Sequence, residues 1–270
     1  MITLSAIRRF TCATLLAAAP IVALSAQSPT GAITRTADGK PNLTGIWQAM
    51  NTANWDLQAH EAKIGPVVSL AAAFAVQPGP GVVVGNEIPY LPEALKKKQA
   101  NAANWMALDP EVKCYMPGVP RATYQPFPFQ IVQSPNTIVM SYEFTSTSRI
   151  VRMGTKEESP APAWMGWNVG RWEGDTLVVD VTDQMEETWF DRAGNFHSDA
   201  LHVVERITPI DGNTLKYEAT IEDPKVFSRP WTISMPLYRR REANAQLMEY
   251  KCVPFAEELM YGHLRKKPTR

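Results

Sequence analysis

Cysteine and histidine are both scarce, three and four respectively in 270 residues. No cysteine has a second ligand at finger-like spacing, which argues against a structural zinc site. Net charge is also missing, with 27 basic residues balancing 27 acidic ones, so a polyanion such as nucleic acid is not an expected partner. The mainly apolar run Cys12–Leu24 is well short of the ~20 residues that span a bilayer, and no later segment is longer. The sequence contains no Gly-x-Ser-x-Gly elbow, no Walker loop and no His-Glu-x-x-His, which excludes the hydrolases and nucleotide enzymes built on them. Gly79-Pro-Gly81 with Gly85 imitates a nucleotide-binding loop, but Pro80 and Val82–Val84 lead into another turn instead of a helix, so no nucleotide cofactor is expected there.

What is present begins with an export signal. Arg8 and Arg9 precede the apolar run, and Ser25 and Ala26 supply small residues at a cleavage point, so residues 1–26 read as a signal peptide and the protein as periplasmic or secreted. Cleavage takes Arg8, Arg9 and Cys12 with it, leaving 25 basic against 27 acidic residues and no membrane attachment. In an oxidising compartment the two remaining cysteines, Cys114 and Cys252, are expected to form one disulfide tying the segment before the barrel to the last strand.

Residues 27–41 are small and polar and read as a flexible lead, followed by a single domain over 42–270. Within it, 50–127 is an irregular insertion, broken at Pro78-Gly-Pro-Gly81 and helical only from Pro92 to Trp105. After Pro128 the apolar period becomes two: Ile138, Met140 and Tyr142; Leu177, Val179 and Val181; Leu215, Tyr217, Ala219 and Ile221; Trp231, Ile233, Met235 and Leu237. Segments near 45–49, 129–134, 137–144, 147–153, 168–174, 176–182, 200–208, 214–222, 230–240 and 246–252 give about ten strands at short spacing. The expected fold is all-β and antiparallel, closed into a barrel because closure removes exposed edges.

The opening Gly45-Ile-Trp47 resembles the Gly-x-Trp signature of lipocalins and related calycin barrels. Longer pieces extend the likeness: Pro41-Asn-Leu-Thr-Gly-Ile-Trp47, Gly170-Arg-Trp-Glu-Gly-Asp-Thr-Leu-Val-Val-Asp180, His197-Ser-Asp-Ala-Leu-His202, Val204-Glu-Arg206, Asp223-Pro224 and Pro230-Trp-Thr232. From about Pro41 to Tyr261 the chain is similar to a widespread group of secreted bacterial proteins. The resemblance implies export and a lipocalin-like barrel, and it carries no catalytic residues with it.

Chemistry concentrates in Thr188–Arg206, which holds two of the four histidines, three acids and two arginines among aromatic rings. His197, oriented by Asp191 or Asp199, is the candidate proton carrier, since a carboxylate on one ring nitrogen fixes the tautomer while the other nitrogen moves a proton. Tyr142, facing into the barrel, is a candidate proton donor. Trp189, Phe190, His202 and Arg206 are candidate ligand contacts, with Trp189 as a pocket wall and Trp164 and Trp167 left unassigned. Strand parity sends His202, Val204 and Arg206 to one face and Glu205 to the other, so His202 and Glu205 cannot hold one metal ion together, and no metal site is expected. One of Glu205 and Arg206 points inward, where an unpaired charge costs several kcal/mol, and Arg149, Arg171 or Asp180 is the expected partner. Two functions follow. One is a cofactor-independent acid–base lyase, hydratase or isomerase acting on an apolar oxygenated small molecule; the other is a non-enzymatic, lipocalin-like carrier of a hydrophobic ligand. Oligomeric state has no signature in the sequence.

Overall fold

The computed structural model describes residues 31–65, 67–70 and 75–264. The expected signal peptide at 1–26 and the start of the lead at 27–30 lie outside the described residues. Alternating apolar positions build nine strands: β1 (Gly45–Ala49), β2 (Phe129–Gln133), β3 (Thr137–Tyr142), β4 (Thr147–Met153), β5 (Trp167–Glu173), β6 (Thr176–Thr182), β7 (His202–Pro209), β8 (Thr214–Glu222) and β9 (Trp231–Arg239). They close in sequence order into a barrel, β9 returning to pair with β1. The period-two reason is plain in β8, where Leu215, Tyr217, Ala219 and Ile221 are buried inside while Lys216 faces solvent.

Two features of the sheet differ from the sequence-based expectation. The strands among the described residues number nine, because 246–252 forms no strand; its backbone instead meets the β3–β4 connection at Glu143 and Ser146, with the Tyr250 ring packed on Phe127 and Phe144. The sheet is mixed, since β5 pairs in parallel with β4 through Val151↔Asn168, Arg152↔Val169 and Met153↔Gly170, and every other neighbouring pair is antiparallel. Two parallel neighbours need a crossover in place of a tight turn, and residues 154–166 supply it. Only the last part of β4 reaches β5, so the first half of β4 has no strand on that side.

The interior is filled. Trp47, Phe129, Ile131, Ile138, Met140, Leu177 and Tyr217 are all essentially inaccessible, as expected of a narrow barrel whose side chains meet across the axis. The 50–127 elaboration lies over the β6–β7 and β8–β9 connections. Its backbone bonds run from Leu91 to the Val226 carbonyl, from Ser228 to the Pro89 carbonyl and from Arg192 to the Asn54 carbonyl. It carries helix α1 (Pro92–Ala103), opened by Pro92 at its first position, and the short α2 (Trp105–Leu108).

The disulfide joins Cys114 to Cys252 with Cα atoms 5.7 Å apart and a sequence separation of 138. Cys252 lies beyond the strands, in the stretch before helix α3 (Ala256–Tyr261), so the bond ties the elaboration to the C-terminal tail and not to a last strand. The described part of the lead is folded back on itself: Arg35 bridges to Pro41 and its guanidinium makes paired bonds to Asp175 in the β5–β6 turn.

Candidate functional site

His197 sits in the loop between β6 and β7 and is almost wholly buried. Its Nδ1 lies 2.8 Å from the Ser198 carbonyl, which can only accept, so that nitrogen carries the proton and Nε2 accepts from the Thr188 hydroxyl at 2.6 Å. Gln184 lies beside them, its amide donating to Thr188 and to the Val119 carbonyl while its carbonyl receives the Val119 N–H. Gly118 lets this contact form, because a Cβ there would stand 2.6 Å from the Gln184 amide and 2.7 Å from the Thr188 hydroxyl. Burial lowers the imidazole to about pKa 4, against the opposing pull of Ser198. His197 is therefore a neutral cross-link with both nitrogens occupied.

Neither candidate carboxylate reaches it. Asp191 is fully buried and accepts from Leu57 N (2.8 Å), Asn195 N (3.1 Å) and Asn195 Nδ2 (2.5 Å), which pins the loop to the elaboration. Burial, and then the charge of Asp56, push it up to about 7 against those donors. Asp191 is therefore an anchor for loop backbone, not the partner that orients the imidazole. Asp199 stands in solvent and pairs with Lys225 at 2.5 Å. Trp189 and Phe190 pack inward, the Phe190 ring 5.3 Å from His197 and 5.8 Å from Trp231.

His202 and Arg206 share one face of β7, as parity requires, and that face is the outer one, so neither is the pocket contact expected from the sequence. His202 meets Asp180 and Glu222, and Arg206 meets Glu173, which also bonds Arg171. They form a surface ladder of charge and line no interior pocket.

Glu205 points the other way and finds Arg149. The guanidinium gives Nη1 to Glu205 (2.6 Å) and Asn168 (2.8 Å), Nη2 to Glu205 (2.9 Å), and Nε to the Tyr142 hydroxyl (2.9 Å); Tyr217 donates to Glu205 at 2.6 Å. Desolvation opposes the charge on Arg149, but Glu205 holds it above the ordinary arginine value, while burial raises Tyr142 and Tyr217. Tyr142 thus spends its oxygen on Arg149, in a satisfied network at the centre of the barrel.

A second buried network lies under the elaboration and has only scattered charges as its sequence signal. Arg121 forks onto Asp109 at 2.7 and 2.8 Å, touches Glu111 at 2.5 Å and bonds Asn54, and Glu111 also holds Arg192. Burial by itself would raise Glu111, yet Arg192 and Arg121 bring it down to about 2. Arg192 lies over Trp55 and Trp105, which fixes α2 against the loop.

The open place is lateral. Where the first half of β4 lacks a neighbour, the crossover stands off and leaves a cleft of about 480 Å³, within the range typical of small-ligand sites. Trp164, Trp167, Met116, Met165 and Met185 give it an apolar lining, and Arg152 and Ser148 line it from β4. Trp164 is braced by the Tyr115 ring at 4.9 Å, next to the disulfide at Cys114, and Trp167 donates its indole N–H to the Glu157 carbonyl. A second groove of about 340 Å³ runs between Trp55, Trp105 and Lys98 beside Arg192. Among the described residues no group of three or more His, Cys, Asp or Glu is arranged to hold a metal ion.

Fold and geometry together define a closed, mixed nine-stranded barrel with a filled core and a cleft in its wall. No protein-family model matches the chain, and no curated protein is significantly similar to it.

Proposed function

We propose that this is an exported small-molecule-binding protein that holds a flat, largely apolar ligand in the lateral cleft between β4 and the 154–166 crossover. The observation that carries the reading is the cleft itself: two half-buried tryptophans and three methionines facing one pocket that opens where strand pairing stops. This is the carrier function in a changed place, since packed side chains fill the barrel axis that a lipocalin-like carrier would use. Acid–base chemistry on His197 lacks the same support, because both imidazole nitrogens are bonded and neither bond is to a carboxylate. The disulfide is in keeping with an oxidising compartment.

Titrating the tryptophan fluorescence with a panel of aromatic and terpenoid compounds tests the proposal. Saturable binding that Trp164→Ala weakens, with no chemical change in the ligand, is expected. Binding indifferent to Trp164→Ala and Trp167→Ala, or conversion of the compound to a product, would overturn it.

A further inference from the structure

Arg152 is unlike its cationic neighbours on the outside of the barrel. Arg171 and Arg206 are each ion-paired, whereas Arg152 is in no ion pair among the described residues. Its guanidinium carbon lies over Trp167, 3.8 Å from the ring centroid, and its side chain's one hydrogen bond among the described residues, to the Ile150 carbonyl, is long at 3.5 Å. A planar cation stacked on an indole keeps its N–H edge directed outward in the ring plane, where a carboxylate can take two parallel bonds. That edge belongs to the same cleft as Trp164.

Backbone donors lie close by. Met153 donates to the Asn136 carbonyl on the β3 side, and Gly154 to the Gly170 carbonyl on the β5 side. Strand alternation then directs the peptide groups of Arg152, Ile150 and Ser148 toward β5. β5 pairs only with Val151–Met153, so the amides of Ser148 and Ile150 face the cleft without a strand partner. One end of the cleft is thus cationic and rich in N–H donors, and the rest is aromatic and thioether.

We infer that the cleft takes an aromatic carboxylate, its acid group on Arg152 and the free edge of β4, its ring against Trp164 and the methionines. This rests on the cleft being the ligand site, and it adds that a negative charge and a flat ring are both required. No bond is made or broken.

The test is calorimetric binding of 2-naphthoate, methyl 2-naphthoate and decanoate to the purified protein and to Arg152→Gln. The wild type is expected to prefer 2-naphthoate by about tenfold or more over each of the others, as a charge-assisted bidentate contact implies. Arg152→Gln should bind acid and ester alike with its melting temperature unchanged, and Arg152→Lys, which keeps the charge but loses the fork, should recover part of the preference. Equal affinity for acid and ester in the wild type, or a preference that survives Arg152→Gln, refutes the anion contact while the cleft remains a ligand site. Decanoate binding as well as naphthoate refutes the aromatic requirement. If none of the three binds and the tryptophan emission does not respond, the cleft reading and this inference fail together.

Discussion

Removing Arg149 tests how the barrel interior is held. Its guanidinium and the Glu205 carboxylate are both essentially inaccessible and are joined by contacts of 2.6 and 2.9 Å. Arg149→Met keeps much of the volume but leaves Glu205 buried with Tyr217 as its remaining donor, and strips the Tyr142 hydroxyl and the Asn168 carbonyl of a partner. A buried charge deprived of its partner typically costs about 3–5 kcal/mol. For a domain of this size that corresponds to a fall in melting temperature of roughly 10 °C. The double variant Arg149→Met with Glu205→Leu removes the charge instead of orphaning it and should be more stable than either single variant, the hydroxyls of Tyr142 and Tyr217 then costing about 1 kcal/mol each. Urea unfolding of the four proteins at neutral pH measures all of this. If Arg149→Met loses under about 1 kcal/mol, or the double variant loses the sum of the singles, the pair is not the coupled, desolvated unit described.

Other measurements bear on other parts of the molecule. Because His197 is depressed to about 4 in the folded chain, its share of stability is complete above the ordinary histidine value and is lost as pH falls toward 4. That share is on the order of 3 kcal/mol, and replacing His197 by Gln should flatten this acid limb in denaturant melts recorded across pH 4–7. Asp191 is raised to about 7, so what it contributes is greatest near pH 4 and declines as pH rises to 7. Asp191→Asn, which puts an amide N–H₂ among three donors, should cost about 1–3 kcal/mol, most at the acid end, as read by thermal melts at pH 4 and 8. Thiol titration of the denatured, unreduced protein should find neither Cys114 nor Cys252 free. Reduction should lower stability by about 4–5 kcal/mol in the chain-entropy view of so long a loop, and a reduced protein of unchanged stability would contradict it.

The sequence by itself determined the strands. Period-two alternation is a local property, so β4, β6 and β8 fall at 147–153, 176–182 and 214–222 as read from the chain, and the same period puts His202 and Arg206 on one face and Glu205 on the other, while the fold decides that Glu205 is the one turned inward. Apolar content did not carry over at 246–252, because the segment finds no strand to pair with: the Tyr250 ring packs on Phe127 and Phe144 while Met248 stays largely exposed. The pairing of Cys114 with Cys252 was legible because only two cysteines follow the apolar run Cys12–Leu24.

Only the tertiary structure decided what the charged and aromatic residues do. The cluster at Thr188–Arg206 reads as a site because its residues are close in sequence, yet folding distributes them by depth: His197 and Asp191 become buried anchors, Asp199 is left in solvent, and His202 and Arg206 stay on the outer wall. A side chain's partner is set by what lies across the fold, and a local pattern cannot see Ser198's carbonyl turned onto one imidazole nitrogen or Thr188 onto the other. The cleft has the same origin. Strand direction depends on the path of 154–166, which has no periodicity of its own, and it is the parallel arrival of β5 that leaves half of β4 unpaired and brings Arg152, Trp164 and Trp167 to a common opening.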